Sequence, residues 1–335
     1  MKIESLVSLK PYTTFGVDQY AARFAKISTK DDFLELIQNE HHPVILGGGS
    51  NVLLTKDIDT LVIKNEIKGF RLLVATDKHV WVKIHGGENW HESVVKAIQS
   101  GWAGIENLSL IPGTVGAAPI QNIGAYGVEI KDVLVEVEVI ELITGKLLTI
   151  TNESCQFGYR DSIFKKNAFK NRYFVLSIIL KLSKEGKPNT SYGEIEKNLL
   201  EKGILHPTIK DLHETVIHIR TNKLPDPSVI GNAGSFFKNP VVDLNVYERL
   251  KSNYSNGPAY KINDHSYKIP AGWLIDQCGW KGKKIGNVGC YEKQALVIVN
   301  HGGASGSEIW NFAQLVQKDV MDKFGIEIEP EINVW

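Results

Sequence analysis

Val44-Ile-Leu-Gly-Gly-Gly-Ser-Asn51 is the stretch on which the fold turns. Three apolar residues of strand character run straight into three glycines and two small polar residues, where a backbone can approach a ligand with no side chain between. A diphosphate suits such a loop. The dinucleotide fingerprint of a doubly wound sheet needs a further glycine at position 52 and an amphipathic helix after it. Position 52 is Val52, and Val52-Leu-Leu54 soon breaks, so the Rossmann reading falls.

Working outward, residues 31 to 64 predict a βαβ-like start: a helix near Asp31 to Asn39, then strands at Val44 to Leu46 and Leu61 to Ile63. A second lobe follows with strands near Val80 to Ile84 and Val133 to Ile140. In the latter Val133, Val135, Val137 and Val139 alternate with acidic or polar neighbours, as in a half-buried sheet. Between them Asn89, with Glu92 three residues on, opens a helix whose Trp90, Val94, Ala97 and Ile98 share a face and which Gly101 ends. A strand at Tyr173 to Leu182, a polar loop from Gly186 to Gly193 and a helix around Thr208 to Arg220 lead to Lys223-Leu-Pro-Asp-Pro227, which marks a boundary near residue 220. The last portion predicts a helix from the capping pair Ser305 and Glu308, with Ile309, Phe312, Val316 and Val320 inward and a stop at Gly325. A strand over Ile326 to Val334 closes the chain.

A second glycine-rich segment, Ile111-Pro-Gly-Thr-Val-Gly-Ala-Ala-Pro-Ile-Gln-Asn-Ile-Gly-Ala-Tyr-Gly127, can wrap a long ligand through its amides, or else serve only as a tightly packed loop. Two such segments in one chain favour the ligand. Other nucleotide and hydrolase chemistries are disfavoured. No phosphate loop ending in Gly-Lys-Ser/Thr occurs, and the nearest approach to a nucleophile elbow, Gly303-Ala-Ser-Gly-Ser307, ends in serine. His213 and His218 mimic a zinc-protease motif but stand five residues apart rather than four, which misplaces the second ligand, and no metal is expected.

The 335 residues are 43% hydrophobic, enough for two or three packed domains, and carry 38 basic against 38 acidic side chains. That balance argues against nucleic acid as a partner. The strongest apolar run, Phe174 to Leu180, is strand-sized, and MKIESLVSLKPYTTFG lacks the form of a secretory signal, so no membrane insertion and a cytoplasmic location are expected. Cys155, Cys278 and Cys290 are odd in number and widely spaced, which predicts reduced structural thiols.

Seven motifs occur in one order: Leu46-Gly-Gly-Gly-Ser-Asn51; Ile111-Pro-Gly-Thr-Val-Gly116 with Gln121-Asn-Ile-Gly-Ala-Tyr-Gly127; Gly158-Tyr-Arg-Asp-Ser162; Lys223-Leu-Pro-Asp-Pro227; Gly231-Asn-Ala-Gly-Ser-Phe-Phe-Lys-Asn-Pro240; Ala271-Gly-Trp-Leu-Ile-Asp276; Glu329-Pro-Glu331. Together they resemble the UDP-N-acetylenolpyruvoylglucosamine reductase family. The resemblance implies an α+β protein of three domains. Residues 1–66 and 67–220 would form an FAD-binding unit of the vanillyl-alcohol-oxidase type, with 326–335 returning to the first, and 221–325 a substrate domain. It implies non-covalent FAD, NADPH as reductant, a UDP-sugar substrate in peptidoglycan synthesis, and a monomer.

Carried over residue by residue, the resemblance assigns the cofactor to Gly47, Gly48, Gly49, Ser50, Asn51, Pro112, Gly113, Thr114, Gly116, Ala117, Gln121, Asn122, Gly124, Ala125, Tyr126 and Gly127. It gives the chemistry to Arg160, Ser235 and Glu331, with Ser235 as proton donor, Arg160 as the partner of developing negative charge, and Glu331 assisting the carboxylate. Tyr192, on a loop of the family's tyrosine-loop type, Lys223, Asn232, Tyr260, Lys268, Lys281 and Gln294 become candidates for substrate contact. Read without the resemblance, Gly234-Ser235 is an ordinary turn, Arg160 half of an exposed ion pair and Glu331 the solvated edge of a strand. Two rival functions follow from the same residues: a flavin oxidase that uses oxygen, and a nucleotide-binding protein without catalysis.

Overall fold

A computed structural model describes residues 2–40 and 42–335. The chain divides into two compact units. The first comprises the residues up to Val7, Ala21–Gly48 and Ile58–Asn222; the second Ser8–Tyr20, Gly49–Asp57 and Lys223–Trp335. Sheets and helices are mixed in both, as an α+β class requires.

In the first unit, Tyr20–Ile27, Ile58–Asn65 and Val44–Leu46 run parallel, with Val44 opposite Val62, and Lys30–Ile37 provides the crossover helix. Thr29 and Asp32 cap that helix reciprocally, each side chain accepting from the other's backbone N–H. Its Phe33, Leu36 and Ile37 are buried, and Phe33 stacks on Phe174 at 3.9 Å. The βαβ start expected from periodicity is therefore present, with two strands, Tyr20–Ile27 and the edge strand Glu4–Ser8, that periodicity had not indicated.

An antiparallel five-stranded sheet follows, ordered Leu147–Thr151, Leu134–Glu141, Tyr173–Ser183, His79–His85, Phe70–Ala75. Val80, Val82 and Ile84 alternate inward under the helix Trp90–Gln99, which buries Trp90, Val94 and Ala97. The regular alternation expected from Val133 to Val139 does not hold. Register breaks between Leu134 and Glu136 and between Glu138 and Val139 insert extra residues, so Val137, Val139 and Ile140 are buried while Val133 and Val135 are only partly covered. Helices Gly193–Glu201 and Ile209–Lys223 join through a small cluster of Ile195, Leu199, Leu212, Val216 and Ile219.

The second unit has its own core, from Phe15 and Leu53 to Ile332, around the helix Gly306–Phe324. Ser305 and Glu308 form the expected capping box and Gly325, at φ +64°, ends the helix in the left-handed conformation. One sheet is ordered Gly231–Ser235, Val297–Asn300, Val288–Cys290, Lys284–Ile285; a second, Val241–Asp243, Ser266–Lys268, Tyr260–Asn263. Of the strand expected over Ile326 to Val334, only Asn333–Val334 is regular, parallel to Val52–Leu53. Pro330 brings no N–H to a ladder, and the chain around it makes a single bridge, Phe237 to Pro330. Among the described residues no helix is long and apolar enough to cross a membrane, no group of side chains could hold a metal ion, and all three cysteines are free.

Candidate active site

In the first unit the two glycine segments meet. A Cβ on Gly48 would stand 2.5 Å from the Gly113 Cα, and one on Gly47 2.6 Å from the Thr114 Oγ1. At Gly48 the neighbouring backbone leaves no room for a side chain, and at Gly47 the Thr114 hydroxyl occupies the place a Cβ would take. The second segment is anchored behind: the Trp90 N–H donates to the Gly113 carbonyl at 3.1 Å, Val115 N–H to the Glu88 carbonyl at 2.9 Å, and Gly116 N–H to the Gly86 carbonyl at 2.9 Å. Pro112 precedes this anchor, and Ala117 closes the single 3-10 turn Val115–Ala117. At the seam the Thr114 hydroxyl is buried with no hydrogen-bond partner among the described residues. A buried hydroxyl in that state calls for an acceptor, and a phosphate oxygen is one. A seam of side-chain-free backbone with an unsatisfied hydroxyl fits the expected flavin nucleotide.

The rest of the segment makes a tight hairpin. Gly124–Ala125 pairs with Val128–Glu129, and the two turn residues, Tyr126 at φ +51° and Gly127 at φ +81°, are both left-handed, as a type I′ turn requires. Just before it, after Gln121, comes Asn122, fully buried and itself left-handed at φ +46°. Its Nδ2 donates to Glu129 at 2.8 Å and to the Gly158 carbonyl at 2.9 Å, while its Oδ1 accepts from the Lys131 N–H at 3.2 Å. The side chain thus clamps the loop onto the neighbouring turn.

That turn carries Arg160. Gly158 and Asp161 exchange backbone hydrogen bonds at 3.0 and 3.3 Å across Tyr159 and Arg160, and Arg160 takes the left-handed position, φ +53°, that glycine usually fills. Such a residue stores about 1–3 kcal/mol of strain and clusters where function fixes geometry. The Arg160 Nη2 donates to the Gly124 carbonyl at 2.6 Å, so the guanidinium is held at the hairpin. Tyr126 meets Tyr192 edge to face at 5.3 Å. Asn107, buried, donates to the carbonyls of both Tyr126, at 3.1 Å, and Asn189, at 2.9 Å, tying the tyrosine loop to the hairpin.

One residue at this place has no counterpart among the sequence candidates. Arg220, in the last turns of Ile209–Lys223, shares a hydrogen bond with the Tyr126 hydroxyl, while its Nε is buried without a partner among the described residues. Burial lowers its pKa first, and the charge of Arg160 adds to that. Burial also pushes the Tyr126 phenol up to about 12. Two guanidiniums acting on each other, one with an unsatisfied buried donor, make an anion-seeking corner. Its sequence signal, an arginine just before Lys223-Leu-Pro-Asp-Pro227, is too common to single out.

In the second unit the strand Gly231–Ser235 places Ser235. Asn232 faces Val299 and Ser235 faces Val297, so the strand carries one extra residue, and Gly234, at φ +69°, supplies the bulge. Immediately after, the Glu331 N–H donates to the Phe236 carbonyl at 2.8 Å and the Lys238 N–H to the Glu329 carbonyl at 2.9 Å, which sets Glu331 beside the Ser235 turn. Asn51 joins them: its Nδ2 donates to the Glu331 carbonyl at 3.3 Å and its own carbonyl accepts from the Asn333 N–H at 3.0 Å. Gly49 is needed here too, since a Cβ would fall 1.9 Å from the Tyr12 carbonyl oxygen. Ser50 lies between them on the same loop.

The candidate substrate contacts of this unit are dispersed. Asn232 is buried and its Nδ2 donates to the Ile230 carbonyl at 2.9 Å and the Pro225 carbonyl at 3.3 Å, while its Oδ1 accepts from the Gly234 N–H at 2.9 Å, so it shapes the bulge. The Gln294 carbonyl accepts from Val297 at 3.0 Å, beside the register of Ser235. Tyr260 and Lys268 lie opposite each other in the other sheet, Lys281 pairs with Asp276 at 3.8 Å, and Lys223 ends the helix that holds Arg220.

Comparison with known proteins completes the picture. Residues 226–335 match the family model described as the C-terminal domain of UDP-N-acetylenolpyruvoylglucosamine reductase, and residues 22–151 match that of an FAD binding domain. The chain is 46% identical to the UDP-N-acetylenolpyruvoylglucosamine reductase of Flavobacterium johnsoniae over all of both chains. It is 47% identical to that of Chromobacterium violaceum, covering 97% of this chain and 96% of the relative. The crystal structure of the enzyme of that name from Thermus caldophilus superposes with a TM-score of 0.70 at 25% identity, over 100% of this chain and 99% of that one. On these matches the chain belongs to the UDP-N-acetylenolpyruvoylglucosamine reductase family.

Proposed function

We propose that this protein uses NADPH to reduce the enolpyruvyl ether of UDP-N-acetylglucosamine enolpyruvate to UDP-N-acetylmuramate, in the cytoplasm, as a step of peptidoglycan precursor synthesis. FAD, when bound, supplies the hydride chemistry that no amino-acid side chain offers. Gly47, Gly48, Gly113 and Thr114 would hold it through backbone and one hydroxyl. The protein's own groups meet the two charges the reaction creates. As hydride reaches the terminal carbon, negative charge develops toward the carboxylate, and Arg160, fixed by the Gly124 carbonyl, stabilises it as a preorganised fork of donors. The remaining carbon takes its proton from the Ser235 hydroxyl. Glu331 assists at the carboxylate, and Tyr192, Lys223, Lys268 and Lys281 meet the nucleotide's diphosphate and sugar.

The observation that supports this reading best is the meeting of Ser235 and Glu331, 96 residues apart in sequence, through the 2.8 Å bond from the Glu331 N–H to the Phe236 carbonyl. A flavin oxidase would have no use for a proton donor seated in a glycine bulge beside an acid. The test is a steady-state assay with purified protein: a yellow preparation that oxidises NADPH only when the enolpyruvyl nucleotide sugar is added is expected. Flavin bound with no such activity refutes the substrate, and oxygen consumption in its absence favours the oxidase.

A further inference from the structure

Lys64 presents a problem that the reaction does not explain. It stands near the end of Ile58–Asn65, opposite Leu46 on the parallel neighbour that runs into the glycines. Its side chain is half-buried, and its ammonium donates to the Gly47 carbonyl, the first peptide of the glycine loop. Among the described residues it has no carboxylate in ion-pair contact: Glu66, the acid that acts on it, is paired with Lys26 at 3.7 Å. Burial accordingly lowers its pKa, and the charges of Lys68 and Lys26 oppose it further.

A half-buried ammonium with one carbonyl partner among the described residues is destabilising, because a carbonyl dipole replaces little of the hydration that partial burial removes. An apolar residue at the same place would keep the strand packing without that penalty. The position must therefore gain something when a further group arrives. Its tip touches Gly47, and Gly47 and Gly48 in turn run against Gly113 and Thr114, whose hydroxyl lacks a partner among the described residues. A cation with no carboxylate in contact among the described residues and a hydroxyl with no acceptor among them both border Gly47. In a trans peptide the carbonyl of one residue and the N–H of the next point in opposite directions, so fixing the Gly47 carbonyl also fixes where the Gly48 N–H aims.

We infer that Lys64 is a positioning residue for the diphosphate of the flavin nucleotide, orienting the Gly47–Gly48 peptide and supplying the positive charge that the bound anion neutralises. The inference rests on the FAD-binding reading above. It has a consequence of unusual sign: the residue weakens the empty protein and strengthens the loaded one. An ordinary structural hydrogen bond would strengthen both.

The experiment measures FAD affinity of the apoprotein by flavin fluorescence at several salt concentrations, and thermal unfolding of the same apoprotein, for the wild type, Lys64→Met and Lys64→Arg. Lys64→Met is expected to weaken FAD binding about tenfold to a hundredfold, as loss of a charge-assisted contact does. It should also flatten the salt dependence and raise the apoprotein's melting temperature. Lys64→Arg, which keeps the charge, should retain the salt dependence and most of the affinity. Unchanged affinity and salt dependence in Lys64→Met overturn the inference, as does a lowered apoprotein melting temperature in that variant. A wild-type protein that binds no FAD at all overturns the cofactor reading itself, and Lys64 with it.

Discussion

Ser235 owes its place to a residue that does no chemistry. Gly234 takes φ +69°, and, its chain neighbours aside, no atom of the described residues lies within 4 Å of the Cβ it lacks, so the glycine is required by the turn and not by crowding. The bulge puts its one extra residue between Asn232 and Ser235, so the serine returns to register opposite Val297 directly after the turn. Ser235→Ala changes one oxygen and leaves this backbone alone. Reduction of bound flavin by NADPH should then proceed at nearly the wild-type rate, while turnover of the enolpyruvyl substrate falls about 10²–10⁴-fold, the span of general acid catalysis. Stopped-flow measurement of the two half-reactions separates them, and an equal loss in both removes Ser235 from the proton's path. At this scale the sequence speaks through types and not through surroundings. Asn122 and Asn232 look like polar residues offered to a ligand, yet each has both ends of its amide committed to nearby backbone or side chains. An asparagine in a glycine-rich loop reads the same either way, because its partners are brought by the fold.

The helix Trp90–Gln99 shows what one element can connect. Asn89, its cap, bridges to Thr114, and Trp90 donates to Gly113, so the helix start is part of the glycine seam. Its next residue, His91, accepts the Leu110 N–H on Nδ1 at 3.0 Å, fixing Leu110 at φ +58° just ahead of the glycine loop. His91 stacks at 5.8 Å on His213, whose Nδ1 contacts the Ser109 hydroxyl at 2.7 Å. Burial lowers both imidazole pKa values. Arg220 lowers that of His91 further while Glu92 raises it; His91 lowers that of His213 while Glu214 raises it. A histidine whose pKa falls on folding binds protons more readily when unfolded, so stability is lost as pH drops through 6.5 toward the folded values. Melting temperatures should therefore fall between pH 7.5 and 5.5. His213→Phe, which removes one imidazole and leaves His91 a neutral neighbour, should fall less steeply; parallel curves for the two proteins would dismiss the pair as the cause. The start and stop of this helix were legible because Asn89, Glu92 and Gly101 act within one turn of themselves, as do Ser305, Glu308 and Gly325 for the long helix. The strand Leu134–Glu141 was legible in kind but not in facing, since its two register breaks answer to the partner strand and leave no local sign.

Across the whole chain, what matters is which distant pieces share a core. The second unit takes Ser8–Tyr20 and Gly49–Asp57 from the early chain and everything from Lys223 onward. Its joints span most of the sequence: Asn300 Nδ2 donates to the Phe15 carbonyl at 3.0 Å, Asn232 N–H to the Thr14 carbonyl at 3.0 Å, and Thr55 N–H to the Trp335 carbonyl at 2.7 Å. No periodicity announces these partners, because Val52–Leu53 and Asn333–Val334 are two residues each. The return of the last residues comes from the family resemblance alone. The energetic consequence is concentrated in the final ten positions. Ile326, Ile328 and Ile332 are 3%, 0% and 6% exposed. Burying a side chain of that size contributes about 1.5–3 kcal/mol, so the three together approach the roughly 5–15 kcal/mol that holds a domain folded. Ending the chain after Gly325 removes them, the pairing with Val52–Leu53 and the two bonds of Thr55 to Trp335. The first unit contains none of these groups, and its cores draw on residues between 25 and 219. The truncated protein should therefore be cut by protease throughout residues 226–325 while residues 58–222 stay protected, and its near-ultraviolet dichroism should lose the signal of Trp273, Trp280 and Trp310, which pack in or against the second core. A truncated chain that resists protease along its whole length and melts with the intact protein would show that the second unit is held by its other joints, and that the isoleucines add little to them.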